Sequence, residues 1–326
     1  MKGKTIVVTG GAGFIGSHLV DRLIQEKPKE IIVIDNLHLG KESNLDYAKS
    51  IYLPYLKFYN ISANSFIDMY RIFDKEKPDV VFSLAVIPLP ESLSNPYGAF
   101  TTNIEMTSIL CELQRSKKFE TLIHFSSSEA YGTAKYIPMD EDHPLLGTTP
   151  YAASKSACDQ LIYSYGKLFN IDYSIIRPFN NYGPRQNDGL YAGIIPLTIK
   201  NIYNNLPITI FGDGKQTRDY IYVKDTAEFA IRIYNNKATR SKVINVGNGV
   251  EIKINEIINK LCDITDYDKN KIKYEDERPA DVRRHCSNSK LCESLVNIID
   301  KTSLYDGLKE TINWYMEKYH EDSYFK

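Results

Sequence analysis

Short apolar runs alternate with helical patterns through the first half of the chain. The runs that predict buried strands lie at 4–9, 31–34, 56–61, 79–84, 121–126 and 173–177. Between them, apolar residues recur at helical spacing near 17–25, 65–75, 97–116 and 152–169. Strands that alternate with helices predict an α/β fold with a doubly wound parallel sheet, whose ligands bind at the carboxyl ends of the strands.

The pattern changes after residue 177. Residues 180–189 are rich in turn-forming types. The later apolar runs are short and lie at 208–212, 218–223 and 243–247. We expect one domain at 1–177, to whose sheet 243–247 returns, and a smaller mixed α/β domain at 178–326 that closes over the first and binds a substrate.

The glycine-rich turn after the first predicted strand indicates a dinucleotide site. Gly10, Gly13 and Gly16 follow this strand and open the first predicted helix. Gly10 would supply a tight turn, Gly13 would let the backbone approach a pyrophosphate, and Gly16 would permit close packing of helix on strand. The free N–H groups and the dipole at the helix start favour phosphate. An ordinary βαβ unit with a glycine turn is the alternative.

A carboxylate ends the second predicted strand. Asp35 follows the glycines by about twenty residues, at the place where an acid would hydrogen-bond an adenosine ribose. Because the same acid would repel a 2′-phosphate, NAD is expected rather than NADP. The predicted cofactor-binding residues are Gly10, Gly13, Phe14, Ile15, Gly16, Asp35, Asn36, Ile61, Leu84, Ala85, Tyr151 and Lys155.

Composition and charge exclude several classes of function. The formal net charge is -1, so no global field recruits nucleic acid or a membrane surface. The 5 cysteines are scattered without metal-ligand spacing, so no metal site is expected. Their scatter also fits a protein of a reducing compartment. No apolar stretch approaches the roughly 20 residues of a membrane helix, and no leader pattern is visible, so we expect a cytoplasmic protein.

Tyr151 and Lys155 place a phenol and an ammonium four residues apart at the start of a predicted helix. An ammonium so placed would lower the pKa of the tyrosine and make it a proton acceptor near neutral pH. Other tyrosines have the same spacing to a lysine, and chance surface pairing is the alternative for each. Position favours Tyr151, because it follows a sheet strand that ends in serines, and the hydroxyl of Ser127 could share a proton with a substrate alcohol.

Taken together, these motifs resemble the extended short-chain dehydrogenase/reductase family that acts on nucleotide sugars. Further segments that match in the same order lie at 177–186, 212–223, 245–247 and 278–283, so the resemblance covers nearly the whole chain. It implies a Rossmann domain that binds NAD and a smaller domain that binds the nucleotide sugar. It also implies a homodimer through the helices near 97–116 and 152–169, for which core-facing helices are the alternative.

The resemblance also implies the role of each site residue. Ser127 and Tyr151 would bind the C4 hydroxyl of the sugar, and Lys155 would hold the nicotinamide ribose. The residues implied for the remainder of the substrate are Asn180, Arg218, Arg278 and Asp281. A nearly neutral protein that binds a diphosphate needs local guanidinium groups, which fit phosphate bidentately. A surface salt bridge is the alternative for each arginine.

Glu129 discriminates between two outcomes of the shared oxidation at C4. If a carboxylate reaches C5, the 4-keto intermediate loses the C6 hydroxyl, which is the reaction of a 4,6-dehydratase. If none does, the hydride returns to the other face of C4, which is the reaction of a 4-epimerase. The segment 126–132 resembles that of GDP-mannose dehydratases and UDP-glucuronate decarboxylases, but Ser128 replaces the aspartic acid of dTDP-glucose dehydratases. The sequence favours the dehydratase, with a structural carboxylate as the alternative for Glu129.

Other readings have weaker support. A decarboxylase would need a cation for the sugar carboxylate, and Arg185 could serve. A plain C4 dehydrogenase would consume NAD, and a non-catalytic NAD sensor would not need the serine, tyrosine and lysine together. The segment 84–91 contains two prolines and is expected to be a rigid, apolar loop beside the sugar. We therefore expect an unusual sugar, for instance one that is N-acetylated or deoxygenated.

Overall fold

The computed structural model of the protein describes residues 1–277, 282–297 and 300–324. Its strands are β1 (Thr5–Thr9), β2 (Glu30–Ile34), β3 (Leu56–Tyr59), β4 (Val80–Ser83), β5 (Thr121–Phe125), β6 (Asp172–Pro178), β7 (Asn180–Tyr182), β8 (Ile208–Phe211), β9 (Thr217–Arg218), β10 (Tyr220–Tyr222), β11 (Val243–Val246), β12 (Ile252–Lys253) and β13 (Ile272–Glu275). Its helices are α1 (Phe14–Ile24), α2 (Asp46–Tyr52), α3 (Phe66–Glu76), α4 (Leu89–Ser94), α5 (Pro96–Arg115), α6 (Pro150–Phe169), α7 (Ile194–Tyr203), α8 (Val223–Asn235), α9 (Ile254–Thr265), α10 (Lys290–Leu295) and α11 (Leu304–Tyr324).

Seven of these strands form one sheet in the order β11-β6-β5-β4-β1-β2-β3. Each strand pairs in parallel with its neighbours. The predicted doubly wound parallel sheet is therefore confirmed. The chain reverses its direction of strand addition at β1, which lies between β2 and β4, and in such sheets the ligand crevice lies at the carboxyl ends of the strands at this point.

The strands of the main sheet are apolar because helices cover both of its faces. All five residues of β1 are buried, and Ile6 and Val8 lie in one hydrophobic core while Val7 lies in another. The first core includes residues of α1 and α8, and the second includes residues of α3, α5 and α6. Burial on both faces explains why the sequence of β1 is a continuous apolar run and not an alternating one.

The second half of the chain contributes to both parts of the molecule. β11 pairs with β6 at the edge of the main sheet, and α8 packs on α1. The remainder surrounds a third core, in which Ile199 of α7, Leu261 of α9 and Tyr315 of α11 are fully buried. Three two-stranded sheets, β7 with β10, β8 with β13 and β9 with β12, lie in this half of the chain. The chain thus crosses between the two parts more than once.

Three segments differ from their predicted form. α1 begins at Phe14 and not near residue 17, because Gly13 already has the extended backbone of a helix N-cap. The polar residues after Asp35 include α2, which we did not predict. The apolar loop expected after β4 contains α4, and its Pro90 is tolerated because it lies in the first helical turn, where an N–H has no helical partner.

The long helices α5 and α6 pack against each other beside the main sheet. They carry exposed apolar side chains, among them Tyr97, Tyr163 and Leu168. The homodimer expected through these helices stays a prediction. Within the described ranges, no helix is both long enough and apolar enough to cross a lipid bilayer.

Asp219 connects three segments around the smaller part of the molecule. It lies between β9 and β10 and is fully buried. Its Oδ1 accepts a hydrogen bond from the N–H of Asn248 (2.8 Å), and its Oδ2 accepts from the N–H of Gly249 (2.9 Å). The N–H and the hydroxyl of Ser287 also donate to Oδ2, at 2.9 and 2.5 Å. One carboxylate therefore holds the segments that flank Arg218.

The variant Asp219→Ala is expected to lower the free energy of unfolding by about 3 kcal/mol or more, because it leaves several buried donors without an acceptor. Urea denaturation followed by circular dichroism measures this change. The control Asp263→Ala breaks an ion pair with Lys269 on the surface and should alter stability by less than about 0.5 kcal/mol. Equal losses in the two variants would contradict the role given to Asp219.

Candidate active site

The glycine turn after β1 forms a cradle that side chains do not enter. Gly10 adopts a φ of +70°, and a Cβ there would lie 2.7 Å from the backbone nitrogen of Ala85. A Cβ on Gly16 would lie 2.1 Å from the carbonyl oxygen of Gly10. Gly13 is the N-cap of α1, and its lack of a side chain leaves the helix start without a side-chain cap. The cradle therefore fits the phosphates of a dinucleotide, which helix N-termini favour.

Asp35 follows β2 and holds the glycine turn. Its Oδ2 accepts a hydrogen bond from the N–H of Ala12 (3.0 Å), and its Oδ1 accepts from the N–H of Leu37 (2.8 Å). Burial raises the pKa of Asp35, and these backbone donors oppose the rise. Since a carboxylate offers about four acceptor positions, Asp35 retains capacity for ribose hydroxyls.

A cavity of about 520 Å³ extends along the carboxyl ends of the central strands. All the predicted cofactor-binding residues line it, namely Gly10, Gly13, Phe14, Ile15, Gly16, Asp35, Asn36, Ile61, Leu84, Ala85, Tyr151 and Lys155. Ser127, Glu129 and Asn180 line the same cavity. The fold thus brings these residues together from positions far apart in the sequence.

A second cavity of about 220 Å³ adjoins the first, because Asn180, Asn181 and Gln186 line both. Arg218 lines the second cavity, and its Nη1 donates to the carbonyl oxygens of Thr217 (2.8 Å) and Val282 (2.5 Å). Ile210 and Phe211 of β8 lie in the same wall. Two further predicted substrate residues, Arg278 and Asp281, lie outside the described residues.

Ser127 and Tyr151 meet where β5 and α6 approach each other. Ser127 directly follows Ser126 at the end of β5 and is the N-cap of a short 3-10 helix, and its Oγ accepts a hydrogen bond from the N–H of Glu129 (3.2 Å). Tyr151 lies in the first turn of α6, whose start is capped by Thr149. The Ser127 side chain is close enough to the phenol of Tyr151 to lower its pKa. The two hydroxyls therefore face the same part of the larger cavity.

The expected lowering of the pKa of Tyr151 by Lys155 is wrong for this structure. Burial raises the pKa of Tyr151 to about 12, the hydrogen bond with Ser127 opposes the rise, and the charge of Glu129 adds to it. The Lys155 ammonium lies 5.9 Å from the centre of the Tyr151 ring and donates to the carbonyl oxygen of Phe125 (2.9 Å). Desolvation of the phenolate, the largest cause, therefore sets the direction of the shift in the pKa of Tyr151.

The sequence does not single out His38 as a site residue, and it offers Arg185 only as a cation for a sugar carboxylate. His38 lines the larger cavity, and its Nε2 lies 2.7 Å from Oε2 of Glu91 on α4. Arg185 also lines it, and its Nη1 lies 2.7 Å from Oδ2 of Asp21 on α1. Both contacts join residues distant in sequence, so no local sequence pattern predicts them. The position of His38, shortly after the end of β2, is the feature of the sequence that indicates a place near the cofactor site.

The variant Gly16→Ala is expected to abolish retention of NAD, because its Cβ would meet the Gly10 carbonyl at 2.1 Å and force α1 away from β1. The nucleotide released from heat-denatured purified protein, measured by absorbance and chromatography, gives the bound fraction. The control Gly189→Ala lies outside both cavities, and its Cβ would come no closer than 3.3 Å to another atom. Wild-type NAD content in Gly16→Ala would contradict the cradle.

Comparison with known proteins agrees with this geometry. Residues 6–247 match the model of the NAD dependent epimerase/dehydratase family. The chain is 34% identical to a putative UDP-glucose 4-epimerase of Methanocaldococcus jannaschii, over 95% of this chain and 97% of that protein.

Solved structures share the whole fold. The UDP-glucose 4-epimerase of Thermotoga maritima with UDP-glucose is 31% identical and superposes with a TM-score of 0.90, over 97% of this chain and 99% of that one. The dTDP-glucose 4,6-dehydratase of Streptomyces venezuelae with NAD bound is 26% identical, with the same TM-score of 0.90, over 97% and 98% of the two chains. These similarities do not favour the predicted dehydratase over the epimerase. The chain belongs to the NAD dependent epimerase/dehydratase family of nucleotide-sugar enzymes, and its cofactor is NAD.

Proposed function

We propose that the protein is a 4-epimerase of a UDP-sugar. The observation that carries this proposal is the distribution of carboxyl groups in the larger cavity. Among the described residues that line it, the acidic ones are Asp35 and Glu129. Asp35 is three strand spacings from β5, about 14 Å, and holds the glycine turn. The end of the cavity near Tyr151 thus has one carboxyl group, whereas elimination needs both a base for the C5 proton and an acid for the hydroxyl that leaves C6.

The first step of the reaction needs a proton acceptor at the C4 hydroxyl. Tyr151 takes this proton in its ionised form, which the positive charge of the oxidised NAD ring would stabilise against the burial that raises its pKa, and the hydroxyl of Ser127 shares the hydrogen bond to the C4 oxygen. NAD supplies the hydride acceptor for the C4 hydrogen and the positive charge of its oxidised ring. Tyr151 returns the proton when the hydride is restored to the opposite face of C4, so the reaction is neutral in redox terms.

Elimination makes a larger demand on the site than epimerisation. A 4,6-dehydratase must remove the proton at C5 and protonate the hydroxyl that leaves C6. Ser128 occupies the position where a second acid would be expected, and its side chain is buried. The relatives named above whose identity to this chain exceeds 30% are 4-epimerases of UDP-glucose, established or putative. The serine at position 128 and the similarity to 4-epimerases both support inversion at C4 over loss of the C6 hydroxyl.

A 4,6-dehydratase is the second candidate, and Glu129 is the observation that favours it. This residue lines the cavity two positions after Ser127, and its charge acts on Tyr151. A single carboxylate can in principle take the C5 proton and deliver it to the leaving hydroxyl. If the protein is a 4-epimerase, Glu129 transfers no proton in the reaction.

A decarboxylase has weaker support than either candidate. It needs a cation for the sugar carboxylate, and the lysine and arginine among the described lining residues of the larger cavity are Lys155 and Arg185. Lys155 donates to the carbonyl of Phe125, and Arg185 forms an ion pair with Asp21. Both charges are therefore engaged within the protein.

The smaller cavity supports the assignment of the nucleotide. Arg218 offers a guanidinium group to a diphosphate, and Asn180, at the junction of the two cavities, would contact the sugar or the diphosphate. Ile210 and Phe211 would lie against the base. We propose accordingly that 1–177 with 243–247 binds NAD and that most of 178–326 binds the nucleotide part of the substrate.

The variant Tyr151→Phe is expected to lower kcat at least about 100-fold, because the shared oxidation loses its proton acceptor. Chromatographic separation of UDP-glucose and UDP-galactose measures the rate. Tyr163→Phe is the matched control, because exposed Tyr163 has the same spacing on α6 to Lys167, whose ammonium lies 5.3 Å from its ring centre. Undiminished turnover by Tyr151→Phe, or equal losses in both variants, would overturn the proposed step.

The two candidate reactions differ in the mass of the product. Incubation with UDP-glucose, UDP-N-acetylglucosamine and dTDP-glucose, read by mass spectrometry and NMR, should give unchanged mass and inverted C4 for one of the UDP-sugars. The variant Glu129→Gln should then retain kcat within about tenfold of wild type, because no proton leaves C5. A product that has lost one water in the wild type, and is absent in Glu129→Gln, would replace the epimerase by the dehydratase.

A further inference from the structure

Asp159 is a buried acidic residue on α6, the helix that carries Tyr151 and Lys155. Tyr151, Lys155 and Asp159 follow one another at intervals of four residues on α6, so the three side chains share one face of the helix. Asp159 is 2% exposed and Lys155 is 4% exposed. A carboxylate this deeply buried is costly unless other groups compensate its charge.

The contacts of Asp159 all run to the end of the sheet beside the site. Its Oδ2 accepts a hydrogen bond from the hydroxyl of Ser126 (2.9 Å) and from Nε of Arg177 (2.9 Å). Nη2 of Arg177 lies 2.8 Å from the same oxygen. Burial raises the pKa of Asp159, and the charge of Arg177, together with the hydrogen bonds from Ser126 and Arg177, opposes the rise. Among the described residues, Oδ1 has no hydrogen-bond partner.

These contacts join the two elements that carry the reacting hydroxyls. Ser126 directly precedes Ser127, and its N–H donates to the carbonyl oxygen of Ile176 in β6 (2.8 Å). Asp159 fastens the side chain of the same serine to α6, two turns after Tyr151. Asp159 thus links the strand end that carries Ser127 to the helix that carries Tyr151.

We propose that Asp159 is a positioning residue for oxidation at C4. It fastens the end of β5 to α6 and supplies the negative charge that offsets the buried ammonium of Lys155. The inference rests on the proposed function only through the C4 oxidation, which the epimerase and the dehydratase share. It assigns a task to a buried ion pair that contacts neither cavity.

The charges around Lys155 support the electrostatic part of this role. Burial lowers the pKa of Lys155, and the charges of Cys158 and Asp159 raise it. The titratable or charged groups that interact with Lys155, with Asp159 or with their direct neighbours are His124 on β5, Glu129 and Tyr131 on the 3-10 helix, Tyr151 and Cys158 on α6, and Arg177 on β6. Without Asp159, the buried cations Lys155 and Arg177 would lack this counter-charge.

The variant Asp159→Asn removes the negative charge of residue 159 but keeps the shape of its side chain. The Asn carbonyl oxygen can accept the same hydrogen bonds from Ser126 and Arg177, and its amide takes the position of the oxygen without a partner. Lys155 should then lose its proton at lower pH, because an opposite charge nearby raises an ammonium pKa by about 1–3 units. Because the ammonium of Lys155 is the form expected to hold the nicotinamide ribose, the alkaline limb of the kcat profile should move to lower pH by about one unit or more.

Arg177→Gln is the second variant, and it should move the limb in the same direction. Arg177 lowers the pKa of the buried Asp159, so without this cation Asp159 takes up a proton and no longer offers its charge to Lys155. Ser126→Ala should lower kcat by weakening the attachment of β5 without moving the limb, since it changes no charge. A purely structural role of Asp159 would lower kcat equally at every pH.

The profiles are measured on the NAD-bound protein with saturating UDP-sugar, and circular dichroism checks the fold of each variant. Shifts to lower pH in Asp159→Asn and Arg177→Gln, with none in Ser126→Ala, support the inference. If the wild type has a profile that neither variant moves, the inference fails while the proposed function stands. If the wild type converts no nucleotide sugar, the proposed function itself fails.

Discussion

The close approach of α1 to the end of β1 is the contact on which the rest of the structure depends. The carbonyl oxygen of Gly10 lies so near Gly16 that no side chain fits between them, and Gly10 itself lies against Ala85 after β4. These distances set the width of the crevice at the point where strand order reverses. Because the crevice is narrow and lined by backbone, it suits phosphates and the flat rings of a dinucleotide.

The second determinant is the register of α6 on β5. α6 starts at Pro150 after a capping threonine, which places Tyr151 in its first turn beside Ser127. Successive turns then bring Lys155 to the carbonyl of Phe125 and Asp159 to the hydroxyl of Ser126. A helix face and a strand end are thus matched residue by residue, so a slip of one residue would separate all three contacts.

The strands of the main sheet were predicted to within about two residues of their observed ends. They are buried on both faces and therefore appear as continuous apolar runs. The helices α2 and α4 were missed for different reasons. α2 lies in a polar segment, and its helical face is partly exposed, so its apolar periodicity is weak. α4 contains Pro90, and a proline in a sequence usually indicates the end of a helix. In the first turn of a helix, however, proline is tolerated.

The sequence by itself determined the chemical inventory: a phosphate cradle, an acid for ribose, and a serine, tyrosine and lysine that can serve a sugar hydroxyl. The spacing of the glycines and the four-residue spacing of Tyr151 and Lys155 are local features, so the sequence shows them without coordinates. Only the tertiary structure decided how the environment acts on these groups. Burial, which depends on elements distant in the chain, raises the pKa of Tyr151 although Lys155 is one turn away. The pairing of Asp159 with Arg177 likewise exists only because β6 lies beside β5 in the sheet, a neighbour relation that no local pattern encodes.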